Sequence, residues 1–190
     1  MIARWWPPIG VAAVVLLGWA VRRGPVPVDI WFQRLGGEMG AYGDAFLLFT
    51  TPLLVTAALI IGIVVAVRQH RNGLALAMAV SPPVAIGIVR ISKPLFGREK
   101  GGALAYPSGH TTFLVVVIGL LVVVAGVTFW AVLIGLCVSL LGIFGQAVTY
   151  HYFTDALGAA LLGTAVVCVA AMFDRFGRAD RDVGMSPELR

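Results

Sequence analysis

Long apolar runs separated by short polar islands make up this chain. The first run, Trp5 to Val21, has Arg4 before it and Arg22 and Arg23 after it. Ala45 to Val67 is 23 residues without a charge, about 35 Å as helix and enough to cross a bilayer. Arg68, His70 and Arg71 close it, and Asn72 and Gly73 make a turn. Leu74 to Val89 is shorter and carries Pro82 and Pro83, which predicts a kinked span whose freed carbonyls are satisfied by neighbouring helices. Thr111 to Tyr150 is 40 residues without a charged side chain. As helix it would be about 60 Å, roughly twice the hydrocarbon thickness, so it must cross and return. Glycine and two interface-seeking aromatics at Gly126 to Trp130 predict the turn of that hairpin. Ala156 to Phe173, rich in alanine and glycine, predicts a last, tightly packed span.

Between the first two runs, Gly24 to Asp44 breaks the pattern. Its central segment, Val28 to Leu35, mixes Ile30, Trp31, Phe32 and Leu35 with Asp29, Gln33 and Arg34, which predicts an interfacial segment and not a span. The expected fold is therefore all-α: a polytopic membrane protein with six transmembrane helices in one bundle. It reads as a single membrane domain over 1–190, divided into a first span plus interfacial segment (1–44), a core (45–173) and a polar cytoplasmic tail (174–190). A second reading of the first run is a signal peptide, since Gly18, Trp19 and Ala20 loosely match a small-x-small cleavage pattern.

Composition agrees with this class. Hydrophobic residues are 59% and charged residues 12% of the chain, against roughly 45–50% and about 25% in soluble domains. The net charge of +5 lies at the edges of apolar runs, with no basic stripe interleaved with aromatics. That pattern argues against a nucleic-acid partner and for anionic lipid head groups. Cys137 and Cys168 sit inside apolar runs and read as small core residues. Six spans would put both termini on one face. Arginine and lysine are tied at seven on each face. Setting aside Arg90, Lys93, Arg98 and Lys100 as site residues places the termini in the cytoplasm of a bacterial-type plasma membrane, with the site on the outer face.

The chemistry gathers in Lys93 to Thr112, KPLFGREKGGALAYPSGHTT. Ionisable groups beside membrane spans are costly unless they face water, a partner or a ligand. Three cations, a hydroxyl and glycine N–H groups suit an anion such as phosphate. The predicted hairpin brings Tyr150 to Asp155 back to the same membrane face. There His151 precedes Asp155 by four residues, so in a helix the carboxylate could fix the imidazole tautomer and stabilise the cation formed when its other nitrogen attacks. His110 could protonate a leaving oxygen. The set reads as phosphoryl transfer through a histidine.

Lys93 with Lys100, then Pro107, Ser108, Gly109 and His110, then His151 and Asp155, resembles the three-part signature of the type 2 phosphatidic acid phosphatase superfamily, in its membrane lipid phosphate phosphatase branch. The resemblance covers roughly residues 45 to 173. It implies that His151 is the nucleophile that becomes phosphohistidine, that Asp155 orients it, and that His110 is the acid. It implies that Lys93, Lys100, Ser108 and the Gly109 N–H hold phosphate oxygens, with Arg98 a further candidate, and that neither a metal nor another cofactor takes part. The implied partners are the membrane itself and a phospholipid or isoprenoid phosphate substrate. There are two departures from the family pattern. Lys100 and Gly101 stand where arginine and proline are usual, and Gly145 stands where an arginine is usual, six residues before His151. Arg98, Arg90 or Gln146 could replace that arginine.

Each residue also has a plainer reading. Lys93, Arg98 and Lys100 would be interfacial anchors, Ser108 or Thr111 a helix cap, and His151 with Asp155 a structural pair. The corresponding alternatives for the whole chain are a catalytically impaired relative that binds lipid phosphate or acts as a membrane scaffold, and a lipid transporter or flippase. The last is opposed by the absence of charges mid-span.

Overall fold

The computed structural model describes residues 2–184, with side chains described for residues 4–173. Its helices are α1 (Ile2–Val21), α2 (Pro27–Met39), α3 (Ala41–Ala45), α4 (Pro52–Arg68), α5 (Asn72–Phe96), α6 (Gly109–Val124), α7 (Phe129–Val148) and α8 (Phe153–Gly184). A 3-10 turn, Phe46–Thr50, leads into α4. A two-stranded ribbon, β1 (Glu99–Lys100) and β2 (Ala103–Leu104), lies between α5 and α6. The fold is all-α apart from that ribbon. Five helical segments are long and apolar enough to cross a membrane: Arg4–Val21, Ala41–Arg68, α5, α7 and Phe153–Phe173.

The sixth apolar element, α6, has 16 residues, about 24 Å of helix and short of the ~30 Å hydrocarbon layer. It is apolar all round, the pattern of a helix buried on every side. Accordingly Leu114, Val116, Val117 and Leu120 are fully enclosed by α4, α5, α7 and α8. Small residues on the surrounding helices permit this close approach. A Cβ added at Gly163 of α8 would lie 2.8 Å from Val115, and Gly142 of α7 sits directly on Leu114.

Side-chain bonds fix which helix ends lie together. Trp6 Nε1 donates to Thr164 Oγ1 at 3.0 Å near the start of α1, and Tyr106 OH donates to the Val14 carbonyl at 2.6 Å further along it. The Tyr106 ring lies between Gly18 of α1 and Gly158 of α8, so α1 and α8 are antiparallel. At the far end, Arg71 Nη1 donates to the carbonyls of Val123 and Val124, both at 3.1 Å, closing the last turn of α6. The α4–α5 and α6–α7 turns therefore lie at the end opposite the polar stretch.

Four expectations are modified. The run from Ala45 is not one helix: Thr51 is extended at ψ 120°, and Pro52 starts α4 as its first residue, where its missing N–H costs nothing. The proline-bearing span continues through Pro82, Pro83 and Pro94 to Phe96 and stops at Gly97, left-handed at φ +61°. Lys93 thus belongs to the last turn of α5. The segment expected to lie at the interface is helix α2, which exposes Trp31 but buries Asp29 completely. Cys137 is exposed on α7 and is not a core residue. The hairpin turn falls where expected, with Gly126 at φ +85° and Thr128 capping α7. In the polar tail expected over 174–190, the backbone continues α8 to Gly184; the side chains after Phe173 and residues 185–190 lie outside the described residues.

Candidate functional site

Four chain segments meet at one end of the bundle: the close of α5, the ribbon, the start of α6, and the α7–α8 junction. Gly101 and Gly102, at φ +59° and +80°, form the two-residue turn that lets the ribbon fold back tightly. The ribbon returns Lys100 to the α7–α8 junction, where its Nζ donates to the carbonyls of Thr149 at 2.8 Å and His151 at 2.9 Å. Lys93 Nζ donates to the Leu104 carbonyl at 2.6 Å. An ammonium has three hydrogens, so these bonds leave two on Lys93 and one on Lys100 for another acceptor. Burial pushes the Lys100 ammonium down to about 8, against the attraction of Asp155 and Asp29.

The start of α6 is tied to the start of α8 by the Ser108 N–H, which donates to the Asp155 carbonyl at 3.1 Å. Ser108 is fully buried, and its Oγ accepts from Thr111 N at 3.4 Å and from Thr111 Oγ1 at 3.1 Å. It serves as the N-cap, the plainer of its two readings. The first N–H groups of α6, from Gly109 and His110, have no acceptor within their own helix and form the positive end of its dipole. Such a helix start is a ready anion seat.

His151 lies in the turn before α8, which begins at Phe153. The pair with Asp155 therefore spans a helix start instead of sharing a helix face. His151 Nδ1 is 3.7 Å from Asp155 Oδ2, within ion-pair reach but longer than a hydrogen bond. That Nδ1 is buried without a hydrogen-bond partner, while the side chain keeps 13% exposure. Facing Nδ1 to the carboxylate leaves Nε2 as the nitrogen available for chemistry. His110 is exposed and within electrostatic reach of both His151 and Lys93. The two polar islands of the sequence are thus one site in space.

Arg98 is placed differently from the phosphate-binding role expected of it. Its guanidinium is fully enclosed, with Nη1 on Asp155 Oδ1 at 2.7 Å and Nη2 on Asp29 Oδ2 at 2.6 Å. Nη1 also donates to Thr154 Oγ1 and Nη2 to the Gly24 carbonyl. Both terminal nitrogens are spent on protein oxygens, so Arg98 is a buried structural cation.

Asp29 was not among the residues singled out by the sequence. Its Oδ1 accepts the Thr154 N–H at 2.9 Å, and its Oδ2 accepts the Val26 N–H at 3.1 Å. The rest of α2 grips the same junction. Gln33 Nε2 donates to the carbonyls of Ala147 at 2.8 Å and His151 at 3.2 Å. Phe32 stacks on Phe153, centroids 4.5 Å apart. The sequence signal for Asp29 was a single acid in the mixed segment Val28 to Leu35, and its partner lies 69 residues away.

Of the substitutes considered for an arginine at the position of Gly145, Arg98 and Gln146 are engaged elsewhere. Gln146 is buried and gives its Nε2 to Thr50 Oγ1 at 2.7 Å. Arg90 is exposed near the close of α5. Gly145 itself faces the backbone of Phe46, and an added Cβ would lie 2.8 Å from its carbonyl carbon. In place of a side chain the chain has packed its 3-10 turn. An anion at this end of the bundle would meet two lysines, the start of α6 and two imidazoles. Comparison with protein-family models, curated proteins and solved structures found no match.

Proposed function

We propose that the chain is a membrane phosphatase hydrolysing a lipid phosphate or pyrophosphate through a phosphohistidine, without a metal, as a member of the type 2 phosphatidic acid phosphatase superfamily. The observation that carries the reading is the convergence of His151, Asp155, His110, Lys93, Lys100 and the α6 start at one end of an apolar bundle. The short α6 counts as a sixth span, with the site at the outer face of a plasma membrane and the termini in the cytoplasm. A site at the membrane surface suits a head group whose tail stays in the bilayer.

In this reading the phosphate sits between Lys93, Lys100 and the N–H groups of Gly109 and His110. The His151 Nε2 lone pair attacks phosphorus, the bond from phosphorus to the lipid oxygen breaks, and His110 gives that oxygen a proton. Asp155 stabilises the cationic phosphohistidine. Water then attacks phosphorus, His110 takes its proton, the phosphorus–nitrogen bond breaks, and phosphate leaves with His151 neutral again. The wall at Gly145 favours a second reading, a relative that binds lipid phosphate but turns it over slowly or not at all. Phosphate release in the presence of a chelator, lost in His151→Ala, tests the first reading. Bound lipid phosphate without release would support the second.

A further inference from the structure

The buried cluster beside His151 has a charge balance that the proposed chemistry does not by itself require. Asp155 is fully enclosed, and so is the guanidinium that bonds its Oδ1. A cation at 2.7 Å from that carboxylate would cancel the negative charge on which an imidazolium at His151 depends. Asp29 restores it. Two carboxylates and one guanidinium sum to one negative charge in a dry environment, where charges act most strongly.

We propose that Asp29, on α2, is a positioning residue for the His151–Asp155 pair: it offsets Arg98, so that Asp155 keeps its charge for His151. The proposal rests on the reading of His151 as the nucleophile. Asp29 touches neither imidazole nor substrate; it acts through Arg98 and through Thr154, the neighbour of Asp155, whose N–H and Oγ1 it accepts. Gln33 and Phe32 hold the same helix to the same junction, so α2 is the structural base of the site.

The remaining groups around His151 define what the test must hold constant. Lys100 bonds the His151 carbonyl from the ribbon, His110 faces it from α6, and Lys93 lies beyond His110 on α5. Tyr152 lies under Arg98 and Lys100, and Tyr106 is within electrostatic reach of Asp155. Arg34 and Glu38 of α2 are exposed. None of these changes in the variants below.

Asp29→Asn removes the offsetting charge, and Asp29→Asn/Arg98→Gln removes both charges, leaving Asp155 alone with the same net charge as the native cluster. In the full-length protein in detergent, phosphate release should fall at least tenfold in kcat for Asp29→Asn, with KM nearly unchanged. The double variant should recover much of that loss. Carbethoxylation of His151 against pH, followed by mass spectrometry with His70 as internal reference, should shift to lower pH in Asp29→Asn, where the offsetting negative charge is gone, and return in the double variant. A double variant as poor as or worse than the single one, with unshifted carbethoxylation in folded Asp29→Asn, would overturn the proposal. If Asp29→Asn does not remain monodisperse, the double variant against wild type decides: a native His151 profile supports charge balance, and a displaced one refutes it. Carbethoxylation needs no turnover. No phosphate release by the wild type, with the carbethoxylation shift still present in Asp29→Asn, would refute the enzymatic reading and any role of Asp29 in turnover, and would leave only the charge balance between Asp29, Arg98 and the His151–Asp155 pair.

Discussion

Replacing Gly145 with arginine would restore the residue that the resembled family carries, and the structure predicts that the replacement fails. A Cβ at this position would lie 2.8 Å from the carbonyl carbon, the Cβ and the carbonyl oxygen of Phe46. Two of those atoms are backbone, so no side-chain rotation relieves the clash. Phe46 is also held by its ring against Phe144, centroids 5.0 Å apart. Overpacking of this kind costs about 1–3 kcal/mol for the first carbon alone, equivalent to roughly 2–12 °C in apparent Tm for a chain of this size. Arginine adds a long cation to the same crowded Cβ. Thermal unfolding in detergent, read by tryptophan fluorescence, should show Gly145→Ala destabilised and Gly145→Arg more so. Neither should release phosphate faster than wild type. A Gly145→Arg protein of native Tm and higher activity would refute both the packing argument and the view that this chain has dispensed with that clamp.

Three further expectations follow from Lys100 and Arg71. Lys100 is charged below about pH 8 and loses its proton above it because burial disfavours the cation. KM for phosphorylated substrate should therefore rise as pH passes about 8, and Lys100→Arg, charged throughout, should abolish that rise. Stability should move the opposite way: the unfolded chain keeps this proton up to its ordinary 10.5 and the folded chain only to about 8, so unfolding free energy gains between those values. Denaturation at neutral and alkaline pH measures it. Arg71→Met should lower apparent Tm through loss of the bonds to Val123 and Val124, about 1–2 kcal/mol. It should leave kcat unchanged, since those bonds lie at the end away from His151.

The apolar runs announced the helices because a bilayer demands long uninterrupted hydrophobicity, and the 40-residue charge-free stretch forced a hairpin that brings His151 back toward Lys93. That return is the part of the site most legible in the chain. Proline does not have one meaning along this chain. Pro82 and Pro83 sit inside a continuous helix, whereas Pro52 marks a break in a run with no polar punctuation. Arg98 looked like a ligand-binding cation because it stands among lysines and glycines. Only three dimensions reveal that Asp29, from a segment read as interfacial, closes over it. Gly145 was visible as a departure, but the reason for glycine there, the backbone of Phe46, is a tertiary fact without sequence signature.

The most direct measurement is phosphate release by the purified protein, with chelator present, across long-chain phosphatidic acid, phosphatidylglycerol phosphate and isoprenoid diphosphate, beside His151→Ala. The account predicts release from at least one substrate by the wild type and none by the variant, with an acid-labile phosphoryl group trapped on His151 in quenched wild-type turnover. Equal release by both proteins, or a trapped phosphoryl group on any residue other than His151, would contradict it.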